Sequence, residues 1–370
     1  MPKQQMLELF SMINIVVIAA ISLGLSTVLV GLVLRLSHLY AWYDMKDERK
    51  IHTGDVPRLG GLGFSLAFIL VAMVLSFNAA ENYYGFRFLP VIIGMFLTLL
   101  FGILDDFKQL APRTKLCGQI IAALLVVIPD YTFHSLFFAG PGFFRNLNWL
   151  RYPLTIFWLV GMSNALNFID GVDGLAGGVS LLAAAAYALI FASFTGTSSA
   201  VLFCVCLAAI VGGFLVFNLP IPKARIFMGD GGSQFLGFML AVLPLLNKGD
   251  AKPELPLFYA AALLMIPILD TTAAVWRRVR DHRRIDSPDR SHIHHKLINL
   301  GFGARGVDAV LYSLQIALGV LVFVSVRVSG ALSAAVLGTA FVIGIGFFCA
   351  VHFLNQRAMK CLPAETPVSE

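Results

Sequence analysis

Seven long stretches of this chain contain no Asp, Glu, Lys or Arg: Leu9 to Leu34, Leu59 to Ala80, Phe88 to Leu104, Tyr152 to Ile169, Gly174 to Pro222, Ala309 to Val326 and Val328 to Gln356. A hydrocarbon layer of about 30 Å is crossed by roughly 20 apolar residues in a helix, which satisfies its own backbone polar groups. Windows of this length therefore predict membrane-spanning helices, and the 49-residue window is long enough for two. Only 13% of the 370 residues are charged and 58% are hydrophobic, against about 25% charged in a soluble domain. A soluble globule is excluded.

Three weaker windows, Leu116 to Pro129, Gly231 to Asn247 and Leu255 to Thr272, and a division of the long window at Thr195 to Ser199 bring the expected number of helices to about eleven. The predicted fold is an all-α, polytopic membrane protein. With eleven spans the loops fall into two sets. One set (residues 37–58, 105–115, 170–175, 218–232, 276–307 and the tail after 356), with Arg35, holds 20 of the 27 Lys and Arg. The positive-inside rule makes that set cytoplasmic. No internal repeat and no long linker is visible, so residues 1–370 read as one domain, with 276–307 as a long basic cytoplasmic loop. The N-terminus lacks a charged leader and a small-residue cleavage site, so the first window is expected to be retained as a helix. The five cysteines are scattered, mostly within apolar windows, and read as inert buried thiols.

Aspartates are scarce, yet five of them gather at the expected cytoplasmic helix ends: Asp105 and Asp106, Asp170 and Asp173, and Asp230. Any one of them is also readable as a boundary charge or a helix cap. As a set they repel one another unless a cation sits among them. Magnesium suits such a place, because it takes oxygen ligands and commonly joins one or two carboxylates to substrate phosphates. Arg49, Lys50, Arg58, Lys115, Lys223 and Arg225 on the same face can hold further phosphate charge. Asn164, Asn167 and Asp170 recur every third residue along one helix face and can present an amide and a carboxylate to one ion. Glycine-rich turns accompany the acids at Asp170-Gly171-Val172-Asp173-Gly174 and Met228-Gly229-Asp230-Gly231-Gly232-Ser233. They lack Walker A spacing, and their glycines fit either helix punctuation or close approach of an anion.

His292, His294 and His295 follow Ser287-Pro288-Asp289-Arg290. They are open to three readings: hydrogen-bond donors to phosphate, a loop histidine cluster, or metal ligands, the last without a complete ligand set nearby. Asp270, inside an apolar stretch, is readable either as a functional ionisable group or as a partner of Arg277 and Arg278.

Together these segments resemble the polyprenyl-phosphate N-acetylhexosamine-1-phosphate transferase family. The match runs through Lys50-Ile51-His52, Pro57-Arg58-Leu59-Gly60-Gly61, Leu104-Asp105-Asp106, Asn164 to Ala176, Phe217-Asn218, Arg225 to Ser233 and Ser287 to His295, in family order. The resemblance implies that a lipid phosphate attacks a UDP-sugar and releases UMP. The donor would be UDP-N-acetylglucosamine, the acceptor undecaprenyl phosphate and the cofactor Mg2+, and the product would initiate cell-envelope polysaccharide synthesis. It implies metal ligation by Asp230 and Asn167, and catalytic roles for Asp105, Asp106, Asp170, His294 and His295. It implies substrate contacts at Asp173, Phe227, Gly229, His292, Arg290, His52 and Arg58. It places the protein in the bacterial cytoplasmic membrane with its active site facing the cytoplasm, as a possible homodimer and without a nucleic acid polymer as partner. Gln109 stands where many relatives carry a third aspartate, and the Ser-Pro-Asp-Arg-x-His-Ile-His-His form resembles the N-acetylglucosamine-type branch. The alternatives are another UDP-N-acetylhexosamine, the phospho-N-acetylmuramoyl-pentapeptide, and a secondary transporter. A transporter more often carries its ionisable groups near the midplane of repeated halves.

Overall fold

The computed structural model describes residues 3–43, 56–78, 85–136, 148–195, 198–219, 223–246, 255–284 and 291–361. These residues form thirteen α-helices, two short 3-10 turns and one isolated β-bridge between Tyr43 and Pro57. The helices are α1 (Lys3–Leu39), α2 (Gly60–Asn78), α3 (Gly85–Lys108), α4 (Pro112–Val127), α5 (Arg151–Ile169), α6 (Leu175–Thr195), α7 (Ser199–Asn218), α8 (Gly229–Val242), α9 (Leu257–Leu263), α10 (Met265–Arg280), α11 (Ile293–Asn299), α12 (Ala304–Arg327) and α13 (Gly330–Cys361). The protein is an all-α polytopic membrane protein. The long window divides where expected, and α7 begins with the Ser198 hydroxyl accepting from the Val201 N–H.

All eleven expected windows are helical, but the expected number of spans is corrected. Among the described residues α1, α2, α3, α6, α7, α12 and α13 are long and apolar enough to cross a membrane, and α9 with α10, bent by 87° at their junction, makes an eighth if counted as one span. The missing three are α4, α5 and α8. At about 1.5 Å per residue, the 16 residues of α4 and 14 of α8 fall short of the hydrocarbon thickness, and α5 carries Asn164 and Asn167 in its second half. Their amides meet inside the bundle: Gln119 donates to Gln234 at 2.9 Å and Asn164 donates to Gln119 at 2.8 Å. Groups of this kind are placed between helices rather than against lipid.

α8 is the central element and packs on α2, α3 and α5. Every residue of it is buried except Asp230. Its neighbours come close because glycines face each other: a Cβ at Gly102 of α3 would lie 2.4 Å from the Gly231 Cα, and one at Gly61 of α2 would lie 2.3 Å from the Gly232 backbone. Around this centre α1 packs on α2 and α7, α7 on α6, and α12 on α6 and α13. The outer helices expose apolar side chains such as Val16, Val28, Val342 and Phe353, as a lipid-facing surface requires.

Two further expectations change. Cys204 and Cys206 are buried, but Cys117 and Cys349 are exposed on helix surfaces, because an outward apolar face toward lipid accepts a small thiol as readily as the interior does. The stretch 276–307 is not a bare connection: it contains the end of α10, all of α11 and the start of α12, and α11 buries Ile293, His294, Lys296 and Leu297.

Candidate active site

The acids converge at one end of the bundle. Asp105 and Asp106 lie in the last turn of α3, Lys115 in the first turn of α4, Asn167 near the end of α5 and Asp230 in the first turn of α8. Lys115 Nζ bridges Asp105 Oδ2 and Asp230 Oδ2, the latter at 3.2 Å. Asp105 Oδ1 accepts from the Leu110 N–H at 2.7 Å. Asn167 Nδ2 donates to Asp230 Oδ1 at 3.2 Å and to Ser233 Oγ at 2.8 Å. Asp106 accepts the first amides of α8 with both oxygens, Asp230 N at 2.8 Å and Gly231 N at 3.0 Å. It is a helix cap supplied by another helix, and it places a negative charge where the helix dipole favours one. A cavity of about 620 Å³ opens beside the cluster, lined also by Arg58, Trp42 and Phe107.

The start of α8 depends on Gly229. Its φ of +74° lies in the left-handed region, and a Cβ there would stand 2.1 Å from the Arg58 carbonyl oxygen and 2.8 Å from Asp106 Oδ2. Phe227, two residues earlier, is half-buried and pairs by backbone with the segment before α2: its N–H donates to the Pro57 oxygen at 2.7 Å and its oxygen accepts from Gly60 N at 2.9 Å.

Electrostatics separate the carboxylates. Burial acts to raise the Asp230 carboxyl, but hydrogen bonding with Asp105, the Lys115 and Arg58 charges and the Asn167 amide outweigh it and hold Asp230 below the usual carboxylate range. Asp170, just past the end of α5, is pushed up to about 7 by burial and then by the Asp230 charge. For Lys115, burial opposes the charge, while Asp105 and Asp230 prevail and raise it.

A second wall is the turn 170–174. Asn218 at the end of α7 staples it to the strand-like segment before α8, accepting from Gly174 N at 2.9 Å and donating to the Ile226 oxygen at 2.9 Å. Asp173 Oδ2 accepts from Ala224 N at 3.0 Å. From behind, Arg305 donates to the Asp173 and Leu219 carbonyls and Tyr312 donates to the Gly174 oxygen at 2.5 Å.

The histidines close the third side. His294 is 2% exposed and lies against Gly171, where a Cβ would be 2.5 Å from its Nε2. Burial, and then the neighbouring His295, push it down to about 3, so its ring is neutral. His294 and His295 have ring centroids 4.3 Å apart, and His292 stacks parallel to His294 at 5.9 Å. His52 and Arg290 lie outside the described residues.

The structure thus brings together Arg58, Asp105, Asp106, Asn167, Asp170, Asp173, Phe227, Gly229, Asp230, His292, His294 and His295 around three adjoining walls. Sequence reasoning missed Asn218, Arg305 and Tyr312 as the residues that hold the turn. Arg305, Asp308 and Tyr312 recur at i, i+3 and i+7 on α12, a face that the sequence pattern displays. The cap reading of Asp106 holds, but the helix it caps is α8 and not a local one, since a cap supplied across 124 positions leaves no local signal.

Among the described residues no three His, Cys, Asp or Glu are grouped so as to hold a metal ion by themselves. The aspartates offer carboxylate oxygens, and the Lys115 ammonium already lies between two of them, so the place is one that accepts a cation.

Residues 88–247 match the family model described as glycosyl transferase family 4. The chain is 35% identical over 81% of its length, and 82% of the relative's, to the probable undecaprenyl-phosphate N-acetylglucosaminyl 1-phosphate transferase of Bacillus subtilis. It is 32% identical to the decaprenyl-phosphate N-acetylglucosaminephosphotransferase of Mycobacterium leprae, over 72% of each chain. To the undecaprenyl-phosphate alpha-N-acetylglucosaminyl 1-phosphate transferase of Escherichia coli K12 it is 29% identical over 71% of its own length and 70% of the relative's. The chain therefore belongs to glycosyl transferase family 4, within its polyprenyl-phosphate phosphotransferases, and is a membrane-embedded transferase.

Proposed function

We propose that this enzyme transfers N-acetylglucosamine 1-phosphate from UDP-N-acetylglucosamine to undecaprenyl phosphate with Mg2+ as cofactor, at the cytoplasmic face of a bacterial cytoplasmic membrane. An oxygen of the lipid phosphate attacks the β-phosphorus, the bond from that phosphorus to the oxygen bridging the two phosphates breaks, and UMP leaves with the bridging oxygen. The observation that carries the reading is the convergence of Asp105 and Asp230 on Lys115, with Asp106 capping α8 beside them, next to an open cavity at the bundle end. Two phosphates repel, so catalysis of this reaction is mostly positioning and charge neutralisation.

Asp230, with Asn167 and Asp105, would hold the ion, which when bound would neutralise the donor phosphates and polarise their oxygens. Mg2+ is ordinarily held by one or two carboxylates together with substrate phosphates and water, so this small set of oxygens would suffice. Asp106 sets the position of Asp230 through the α8 backbone. Arg58 and Lys115 supply fixed positive charge for the phosphates, and neutral His294 offers hydrogen bonds rather than charge. The turn 170–174 and the Phe227 segment form the nucleotide side, with Phe227 as a stacking face for the uracil.

Incubating purified protein and lipid phosphate with a panel of UDP-sugars, with the lipid product identified by mass, tests the donor. The expected product is lipid diphosphate N-acetylglucosamine. A product formed only from a muramoyl-pentapeptide or another hexosamine donor replaces this assignment while leaving the family intact.

A further inference from the structure

Asp270 belongs to none of the three walls. It is the sixth residue of α10, past the sharp break after α9, and is 1% exposed. A carboxylate in an apolar helix is costly unless both oxygens find donors. Here both donors come from the histidine segment: Oδ2 lies 2.8 Å from His292 Nδ1, and Oδ1 accepts from the Ile293 N–H at 2.8 Å. Because a carboxylate only accepts, the hydrogen bond is donated by His292 Nδ1–H, which leaves Nε2 facing away from Asp270.

The same ring sits in a column. Arg278 stands over Phe168 at 5.4 Å, Phe168 lies 5.8 Å from His292, and His292 is parallel to His294. His294 in turn rests on Gly171, beside Asp170. One buried carboxylate therefore fixes the tautomer of the first histidine and the start of the short helix that carries the other two.

We propose that Asp270 is a positioning residue for phosphotransfer: it holds His292 as the Nδ1–H tautomer and sets His294 and His295 against the Asp170–Gly174 turn. The inference rests on the transferase reading above. Asp270 touches no reacting group and acts through His292.

Asp270→Asn keeps the shape and an acceptor for Ile293, but its amide can turn an N–H toward His292 and reverse the tautomer. Steady-state UMP release should then show kcat down about 10- to 100-fold, the range for loss of an orienting partner. KM for the UDP-sugar should move by less than about threefold. D270E should restore part of kcat, and D270N should cost nothing further in a His292→Gln background, because the two act as one unit. Imidazole 15N shifts of the wild-type protein should show His292 protonated at Nδ1, and in D270N at Nε2. Unchanged kcat in D270N, equal losses with and without His292, or a bare Nδ1 in the wild type would each overturn the proposal. If D270N does not fold, the wild-type 15N spectrum and H292Q decide alone. If wild-type protein releases UMP from no UDP-sugar, the transferase reading fails, and the nitrogen shifts still decide the tautomer.

Discussion

Both oxygens of Asp106 are occupied by the first two amides of α8, so its removal displaces Asp230 before it changes any charge at the substrate. Asp106→Asn keeps one acceptor and is expected to cost about 1 kcal/mol, the usual worth of a cap, read as a lower melting temperature in detergent, together with a loss of UMP release. Gly229→Ala meets a steric limit as well as a conformational one: its Cβ would overlap the Arg58 carbonyl at φ +74°. A cost of about 1–3 kcal/mol is expected from the strain, with activity lost even where folded protein is recovered. Asp170 gives the pH dependence. Its carboxyl sits at about 7 because burial and then Asp230 oppose its charge. A cation at Asp230 removes that repulsion, lowers the Asp170 value and releases its proton, so apparent Mg2+ affinity should rise as pH increases through 7. Calorimetric titration at pH 6 and pH 8 checks this, and Asp170→Asn should flatten the difference. At this scale the sequence displayed the aspartates and histidines through their scarcity and spacing. The cap, the Asn218 staple and the Asp270–His292 pair were hidden, because each joins residues far apart in the chain.

Apart from α11 and the break between α9 and α10, the elements were legible as helices from apolar runs with little or no charge, including the division at Thr195 to Ser199. Their roles as spans were not. Apolar composition marks α8 as a membrane helix, yet its 14 residues are sealed inside by α2, α3 and α5, and burial by protein and burial by lipid select the same side chains. The helices short of a span are those that bear Gln119, Asn164, Asn167, Asp230 and Gln234. Glycine contact between helices makes this arrangement specific. Gly102→Ala puts a methyl 2.4 Å from the Gly231 Cα, with backbone rather than a flexible side chain in the way. Overpacking of this kind costs about 1–3 kcal/mol. The variant should melt earlier and lose UMP release, whereas Gly346→Ala, at a position with nothing within 4 Å, should do neither.

For the whole molecule, the distribution of charge and the position of the site agree. A polyprenyl acceptor too apolar to leave the bilayer and a nucleotide too polar to enter it meet only at the interface, and the acids, Lys115, Arg58 and the histidines lie at one bundle end. A transporter with a midplane site would leave that end free of such a cluster. In the proposed reaction Asp230, the one half-exposed residue of an otherwise buried helix, binds the ion that joins the two phosphates. The direct measurement is UMP release by purified protein with UDP-N-acetylglucosamine and undecaprenyl phosphate, with and without a chelator, for wild type and Asp230→Ala. UMP should appear only with both lipid phosphate and Mg2+, and the variant should lose at least about 100-fold, as expected when the main electrostatic support of a transition state is removed. Release that persists under chelation and in the variant would contradict the claim.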